Sequence, residues 1–117
     1  MSAFITGAAG FVGLAVTEAL LLRGERVTGF DLSPLSEHAH KTFAGLPGGF
    51  EHVIGDVCDA QGLKAALRES DANCVLNLAA VTAGIARETG DAPGVIRVNV
   101  GGAAAALEAA AACLLMP

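Results

Sequence analysis

Three evenly spaced glycines, Gly7, Gly10 and Gly13, follow the apolar run Phe4-Ile5 and open a stretch with helical periodicity. Residues of this type in this order can hold an anion. A glycine turn lets backbone N–H groups approach a pyrophosphate without a Cβ between them, and the helix that follows presents unpaired N–H groups and a partial positive charge. Gly7 suits the turn off the strand, Gly10 the approach to phosphate, and Gly13 the close packing of helix on sheet. The spacing is G-x-x-G-x-x-G rather than G-x-G-x-x-G, and a glycine triplet alone also describes a tight turn under a packed helix. Its place between a strand and a helix favours the phosphate cradle.

Two aspartates extend that chemistry. Asp31 stands at the C-terminal end of a second strand, where a carboxylate can accept both hydroxyls of an adenosine ribose and would repel a 2′-phosphate. No arginine or lysine follows in Leu32-Ser33-Pro34-Leu35 to offset the repulsion, so NAD is favoured over NADP as the cofactor. The alternative for Asp31 is a loop carboxylate that caps a turn before Pro34. Asp56 follows a third short strand and has no evident local task. Its carboxylate can accept the exocyclic amine of adenine while the Val57 N–H donates to the ring, the alternative being a second turn-forming aspartate. His38, His40 and His52 match no metal-site spacing and read as solvated loop residues.

The elements that must position these residues alternate along the chain. Residues 3–6 are expected to form a strand, and residues 11–23 a helix with Val12, Ala15, Val16, Ala19 and Leu20 on one face, ended by Arg23-Gly24. Residues 26–30 form a second strand. Pro34, Pro47 and Gly48-Gly49 mark turns around a short helix near 36–44. His52 to Gly55 is a short third strand, and Asp59 caps a helix over 60–69 with Leu63, Ala66 and Leu67 inward. Residues 73–80, N-C-V-L-N-L-A-A, form a fourth strand ending in small residues that let a flat ligand lie against the backbone. A glycine-bearing loop covers 82–92, and Pro93 starts an alanine-rich helix to about Leu115. Gly101-Gly102 within it costs about 1 kcal/mol per residue relative to alanine, which close packing on the sheet would offset.

With 117 residues, 53% hydrophobic content and a mean hydropathy of +0.56, the chain is one α/β domain at most, and its composition suits a parallel sheet buried on both faces. Seven basic residues against twelve acidic ones, with no basic cluster, argue against nucleic acid as a partner. No contiguous apolar run reaches the length of a membrane span, and Met1-Ser2-Ala3 lacks a basic n-region. A cytoplasmic protein without a membrane partner is expected. Cys58, Cys74 and Cys113 suggest neither a disulfide framework nor a zinc site and read as small core residues.

Taken in order, T-G-A-A-G-F-V-G at 6–13, Asp31, G-D-V-C-D at 55–59, L-N-L-A-A at 76–80 and V-N-V at 98–100 resemble the extended short-chain dehydrogenase/reductases, the NAD-dependent epimerase/dehydratases. The likeness spans nearly the whole chain. Within that family, A-A-V-T-A-G at 79–84 and V-I-R-V-N-V at 95–100 look most like D-erythronate dehydrogenase and its relatives. The resemblance implies a Rossmann-like doubly wound parallel sheet, incomplete, with about four strands in the order 3-2-1-4. It further implies that Gly7, Gly10, Phe11 and Val12 contact the pyrophosphate of NAD, above Gly13, and that Asp31 holds the ribose. Asp56 and Val57 would bracket adenine, Leu78, Ala79 and Ala80 would line the nicotinamide side, and Asn99 would help order the strands beneath it.

The family's proton transfer uses a tyrosine and a lysine four residues later, and this chain has no tyrosine. Residues 1–117 are therefore expected to be the N-terminal NAD-binding portion of such an enzyme, truncated or split, without the substrate and catalytic portion and not catalytic alone. A small-molecule substrate is expected only where a second portion is supplied. Strand 73–79 would remain an apolar edge able to pair with another chain. A non-catalytic dinucleotide-binding module that senses redox state or completes another subunit, and an inert remnant, are the competing readings.

Overall fold

A computed structural model of the chain describes residues 1–81 and 90–115. Four parallel strands, β1 (Ser2–Thr6), β2 (Arg26–Asp31), β3 (Gly49–Ile54) and β4 (Cys74–Asn77), form one sheet in the order β3-β2-β1-β4. Helices α1 (Phe11–Leu22), α2 (Glu37–Ala44) and α3 (Ala60–Ser70) alternate with them. The last helix, α4, begins at Ala92–Ile96, widens into π-helical turns at Arg97–Gly102, returns to α-helix at Ala103–Ala110 and ends in a second π-helical stretch, Ala111–Leu115. Most of the glycine-bearing loop expected at 82–92 lies outside the described residues.

Strand side chains alternate between two cores, as the period-2 geometry of a strand requires. Ala3 and Ile5 of β1 pack with Leu20, Leu21, Val27, Ala39 and Phe43 beneath α1 and α2. Phe4, between them, packs on the opposite face with Phe30, Leu63, Leu67, Ala106 and Ala109 beneath α3 and α4. The order of strands leaves β4 at an edge, paired with β1 alone among the described strands, and its apolar side chains are only half-buried. It is also shorter than the expected strand over 73–80. Past Asn77 the chain stays tied to β1 by the Leu78 N–H donating to Thr6 O at 3.1 Å, but the ladder has ended.

Several local expectations require correction. The packed face of α1 is Gly13, Thr17, Leu20 and Leu21, whereas Val12, Ala15 and Ala19 are exposed. A helix apolar almost all round carries no rotational signal of its own, and the packing of Gly13 under the turn sets the rotation instead. β3 begins at Gly49, so the pair Gly48-Gly49 leads directly into a strand, and His52 lies half-buried within it; His38 and His40 are exposed on α2. None of the three cysteines is fully buried. The segment Ala92–Leu114 is long and apolar enough to cross a membrane by length and composition alone, with 23 residues, a window hydropathy of 1.3 and 17% of that window buried. Arg97, Asn99 and Glu108 interrupt the contiguous run without lowering the average below that level.

The Gly101-Gly102 pair divides in two. A Cβ on Gly102 would lie 2.8 Å from Val57 Cγ2, while one on Gly101 would meet nothing within 4 Å. Only Gly102 is a close approach, and it packs on the loop after β3 rather than on a strand. Gly101→Ala is expected to stabilise the chain by about 0.5–1 kcal/mol through helix propensity. Gly102→Ala is expected to destabilise it, because Val57 must move. Urea unfolding of the two variants side by side, followed by circular dichroism, reads this difference in sign.

Candidate functional site: a cleft at the carboxyl ends of the strands

The glycine turn is built by two contacts that leave no room for side chains. Gly7 has φ +71°, in the left-handed region, and a Cβ there would lie 2.6 Å from Leu78 C and O and from Ala79 N. A Cβ on Gly13 would lie 2.2 Å from Gly7 O. The turn is thus pressed between the chain leaving β4 and the first turn of α1. Gly7 N–H donates to Phe30 O at 2.9 Å, which fastens it to β2 as well.

Asp31 lies at the C-terminal end of β2 and reaches across to the turn. Its Oδ2 accepts the Ala9 N–H at 3.0 Å and its Oδ1 accepts the Ser33 N–H at 2.9 Å. Each carboxylate oxygen has a further lone-pair site, so two local bonds leave capacity for ligand hydroxyls. The two sequence readings of Asp31 are therefore compatible: it organises its own turn and borders the cleft. Asp56, by contrast, does have a local task. Its Oδ1 accepts the Cys58 N–H at 2.8 Å in a turn, a pattern open to any aspartate two residues before a free amide.

Two side-chain networks complete the arrangement, one around Thr6 that the sequence did not single out and one through Asn99 that it did. Thr6 is fully buried; its hydroxyl donates to Asn77 Oδ1 and accepts the Ala79 N–H at 3.3 Å. Asn99 on α4 clamps Val81 at two points, Oδ1 accepting the Val81 N–H at 2.7 Å and Nδ2 donating to Val81 O at 3.1 Å. Asn99 therefore orders the chain beyond β4 and does not itself face the cleft. A polar residue at the C-terminal end of each of two adjacent strands, Thr6 opposite Asn77 in the register, was the available signal for the first network.

These contacts bring Gly7, Gly10, Asp31, Asp56, Val57, Leu78, Ala79 and Ala80 around one cleft of about 180 Å³, together with Leu32, Gly55, Val81 and Val98, which the sequence did not suggest. Complete small-molecule sites enclose roughly 300–1,000 Å³, so the described residues bound part of such a site. Two carboxylates and no lysine or arginine stand among them. Phe11 and Val12 are outside the lining. The Phe11 side chain is 92% exposed, and what these residues offer the cleft is the first-turn backbone of α1. Beside the cleft, burial pushes the Cys58 thiol above its ordinary pKa, and the Asp56 carboxylate adds to the shift. Among the described residues no group of three His, Cys, Asp or Glu could hold a metal ion.

A pyrophosphate-containing ligand fits two features of this cleft. Helix α1 starts at Gly10 without a side-chain cap, which leaves its N-terminal N–H groups for another acceptor. Gly10 lines the cleft in an ordinary extended conformation, and the one atom its Cβ would approach is Gly7 O, at 3.3 Å. Neither φ nor packing severely restricts that position, so a side chain there would chiefly occupy cleft space.

Comparison with known proteins agrees with the architecture. The model of the NAD dependent epimerase/dehydratase family matches residues 3–115. A UDP-glucose 4-epimerase of Mycolicibacterium smegmatis is 36% identical over 112 residues, covering 94% of this chain and 34% of that protein. Among solved structures, the UDP-glucose 4-epimerase of Thermus thermophilus in complex with NAD superposes with a TM-score of 0.75 at 31% identity, over 93% of this chain and 33% of that one. A short-chain dehydrogenase/reductase superfamily protein from Agrobacterium tumefaciens with bound NAD gives 0.71 at 34% identity, over 97% and 30%. The chain thus spans about a third of the length of these relatives. With its parallel sheet, its glycine turn under α1 and a family match over nearly its whole length, the chain belongs to the NAD dependent epimerase/dehydratase family.

Proposed function

We propose that these residues are the NAD-binding portion of an epimerase, dehydratase or dehydrogenase acting on a sugar-derived or hydroxy-acid substrate, and that they do not turn over substrate alone. The observation that carries the reading is the convergence of the glycine turn and Asp31 on one cleft, joined by the bond from Ala9 N–H to the Asp31 carboxylate. Gly7, Gly10, Phe11 and Val12 would offer backbone to the pyrophosphate, with Gly13 keeping the helix beneath it. Asp31 would accept the ribose hydroxyls, Asp56 and Val57 would flank adenine, and Leu78, Ala79 and Ala80 would exclude water from the nicotinamide side. NAD, when bound, accepts or donates a hydride at its nicotinamide ring. The chain has no tyrosine to move the accompanying proton. UDP-glucose 4-epimerases among the relatives support the sugar-derived arm of the substrate class.

Isothermal calorimetry with NAD and NADP tests the reading directly. NAD is expected to bind the folded chain, with NADP weaker. Absence of NAD binding by folded protein would overturn it. A second reading of the same cleft is a non-catalytic module that senses redox state or completes another subunit. A Tyr-x-x-x-Lys encoded downstream of Pro117 would decide for the enzyme portion. A cytoplasmic setting, with neither nucleic acid nor membrane as partner, belongs to the same proposal, as does self-association through β4. That edge is half-buried and apolar, and unpaired strand edges invite pairing. Sedimentation velocity across a concentration series is expected to show association, and a monomer throughout would remove the edge from consideration.

A further inference from the structure

His52 lies on β3, outside the cleft lining, and the cofactor reading assigns it nothing. It is Gly29's partner in the β2–β3 register. A Cβ on Gly29 would lie 2.8 Å from Ala8 Cβ, in the glycine turn, and 3.1 Å from His52 Nδ1. The missing side chain of Gly29 therefore makes the space in which the His52 ring and the glycine turn meet on one face of the sheet. The ring also stacks with Phe50, with centroids 6.3 Å apart and planes inclined by 22°. Its Nδ1 is buried without a hydrogen-bond partner, and its Nε2 lies 2.9 Å from Ser33 O. A carbonyl oxygen only accepts, so Nε2 carries the proton and donates it to Ser33.

The contact has a direction. Ser33 N–H donates to Asp31 Oδ1, Asp31 Oδ2 accepts from Ala9 N–H, and Ala9 belongs to the glycine turn. We infer that His52 is a positioning residue for the Asp31 carboxylate: by pinning Ser33 O from β3, it fixes the Leu32-Ser33 loop, and through it the carboxylate that would discriminate NAD from NADP. Asp31 itself is held in β2, where its backbone carbonyl accepts the Gly55 N–H at 2.9 Å, whereas Ser33, whose N–H bonds its carboxylate, lies beyond the end of the strand. Among the described residues, His52 supplies the side-chain hydrogen bond that ties Ser33 to the neighbouring strand. The inference rests on the cofactor reading for its consequence, but not for its geometry.

Two measurements on His52→Leu and His52→Gln test it, glutamine being able to donate to Ser33 O from a comparable reach. In the ligand-free chain, amide hydrogen exchange followed by NMR is expected to show Ser33 and Ala9 losing protection in His52→Leu and retaining it in His52→Gln. In calorimetry, the ratio of NADP to NAD dissociation constants is expected to fall about 3- to 10-fold in His52→Leu, the scale of one lost hydrogen bond, and to recover in His52→Gln. A merely structural histidine would lower the melting temperature in both variants and leave the ratio unchanged. Unaltered protection at Ser33 and Ala9 in folded His52→Leu would overturn the inference. If the parent chain binds neither dinucleotide, the cofactor reading fails, and the exchange data alone decide the role of His52.

Discussion

Gly13→Ala is expected to destabilise the chain by about 1–3 kcal/mol, the usual cost of forcing extra volume into a packed site. Helix propensity alone predicts the opposite sign, a gain of about 1 kcal/mol for alanine over glycine in a helix. Steric contact wins because the added Cβ would lie 2.2 Å from Gly7 O and 2.8 Å from Ala8 Cα, both backbone atoms that no rotamer change can move. Gly7→Ala is expected to cost more, since the residue has φ +71° and its Cβ would press on the Leu78-Ala79 backbone. A left-handed conformation adds about 1–2 kcal/mol for a non-glycine residue. Chemical denaturation measures both. A Gly13→Ala chain as stable as the parent would show that α1 can lift off the turn without cost. Because both glycines hold the turn that borders the cleft, dinucleotide affinity is expected to fall with stability.

Asp31→Asn should narrow the preference for NAD over NADP by about 10-fold or more, with a smaller change in stability. The amide oxygen keeps one acceptor for the Ser33 or Ala9 N–H, while the negative charge that would repel a 2′-phosphate is gone. Hydrogen bonds to a charged acceptor contribute about 1.5–3 kcal/mol, so loss of charge also weakens NAD itself. Asp31→Ala goes further. It removes the acceptor for Ala9 N–H, loosens the tie between β2 and the glycine turn, and is expected to lower the melting temperature as well. Calorimetric titration of the three proteins with both dinucleotides separates the two effects. An unchanged ratio in folded Asp31→Asn would show that discrimination comes from elsewhere in the cleft.

Much of this could be read from the residue order because each signal was local. The strand, glycine turn and helix at 2–22 are specified by apolar residues, glycines and the Arg23-Gly24 stop within one continuous stretch. The same holds for Asp59, whose carboxylate accepts the Gly62 N–H at 3.1 Å and caps α3 as expected. Parallel pairing follows from the alternation of strands with helices, and the strand order 3-2-1-4 follows from the family resemblance. Other features carry no local signal. The rotation of α1, the start of β3 and the early end of β4 each depend on a neighbour in space. For Asp56 the residue type leaves both readings open, an adenine contact or a turn-forming carboxylate, and only the folded chain shows the turn bond to the Cys58 N–H.

Residue order alone establishes that a glycine turn, a following helix and an acid at the end of the next strand occur in the order a dinucleotide site requires, and that no tyrosine stands anywhere in the chain. Types and spacings along a chain carry that much, because turn, cap and strand propensities act over a few residues. Tertiary structure decided which of these groups meet. It pressed Gly7 against Leu78 and Ala79, joined Asp31 to Ala9, fastened Thr6 to Asn77, and set His52 under Ser33 from a strand two elements away. Each contact joins residues at least 19 positions apart, except where Asp31 bonds its own turn. Such pairings depend on the register of packed elements, and register is fixed only when the sheet closes on both cores.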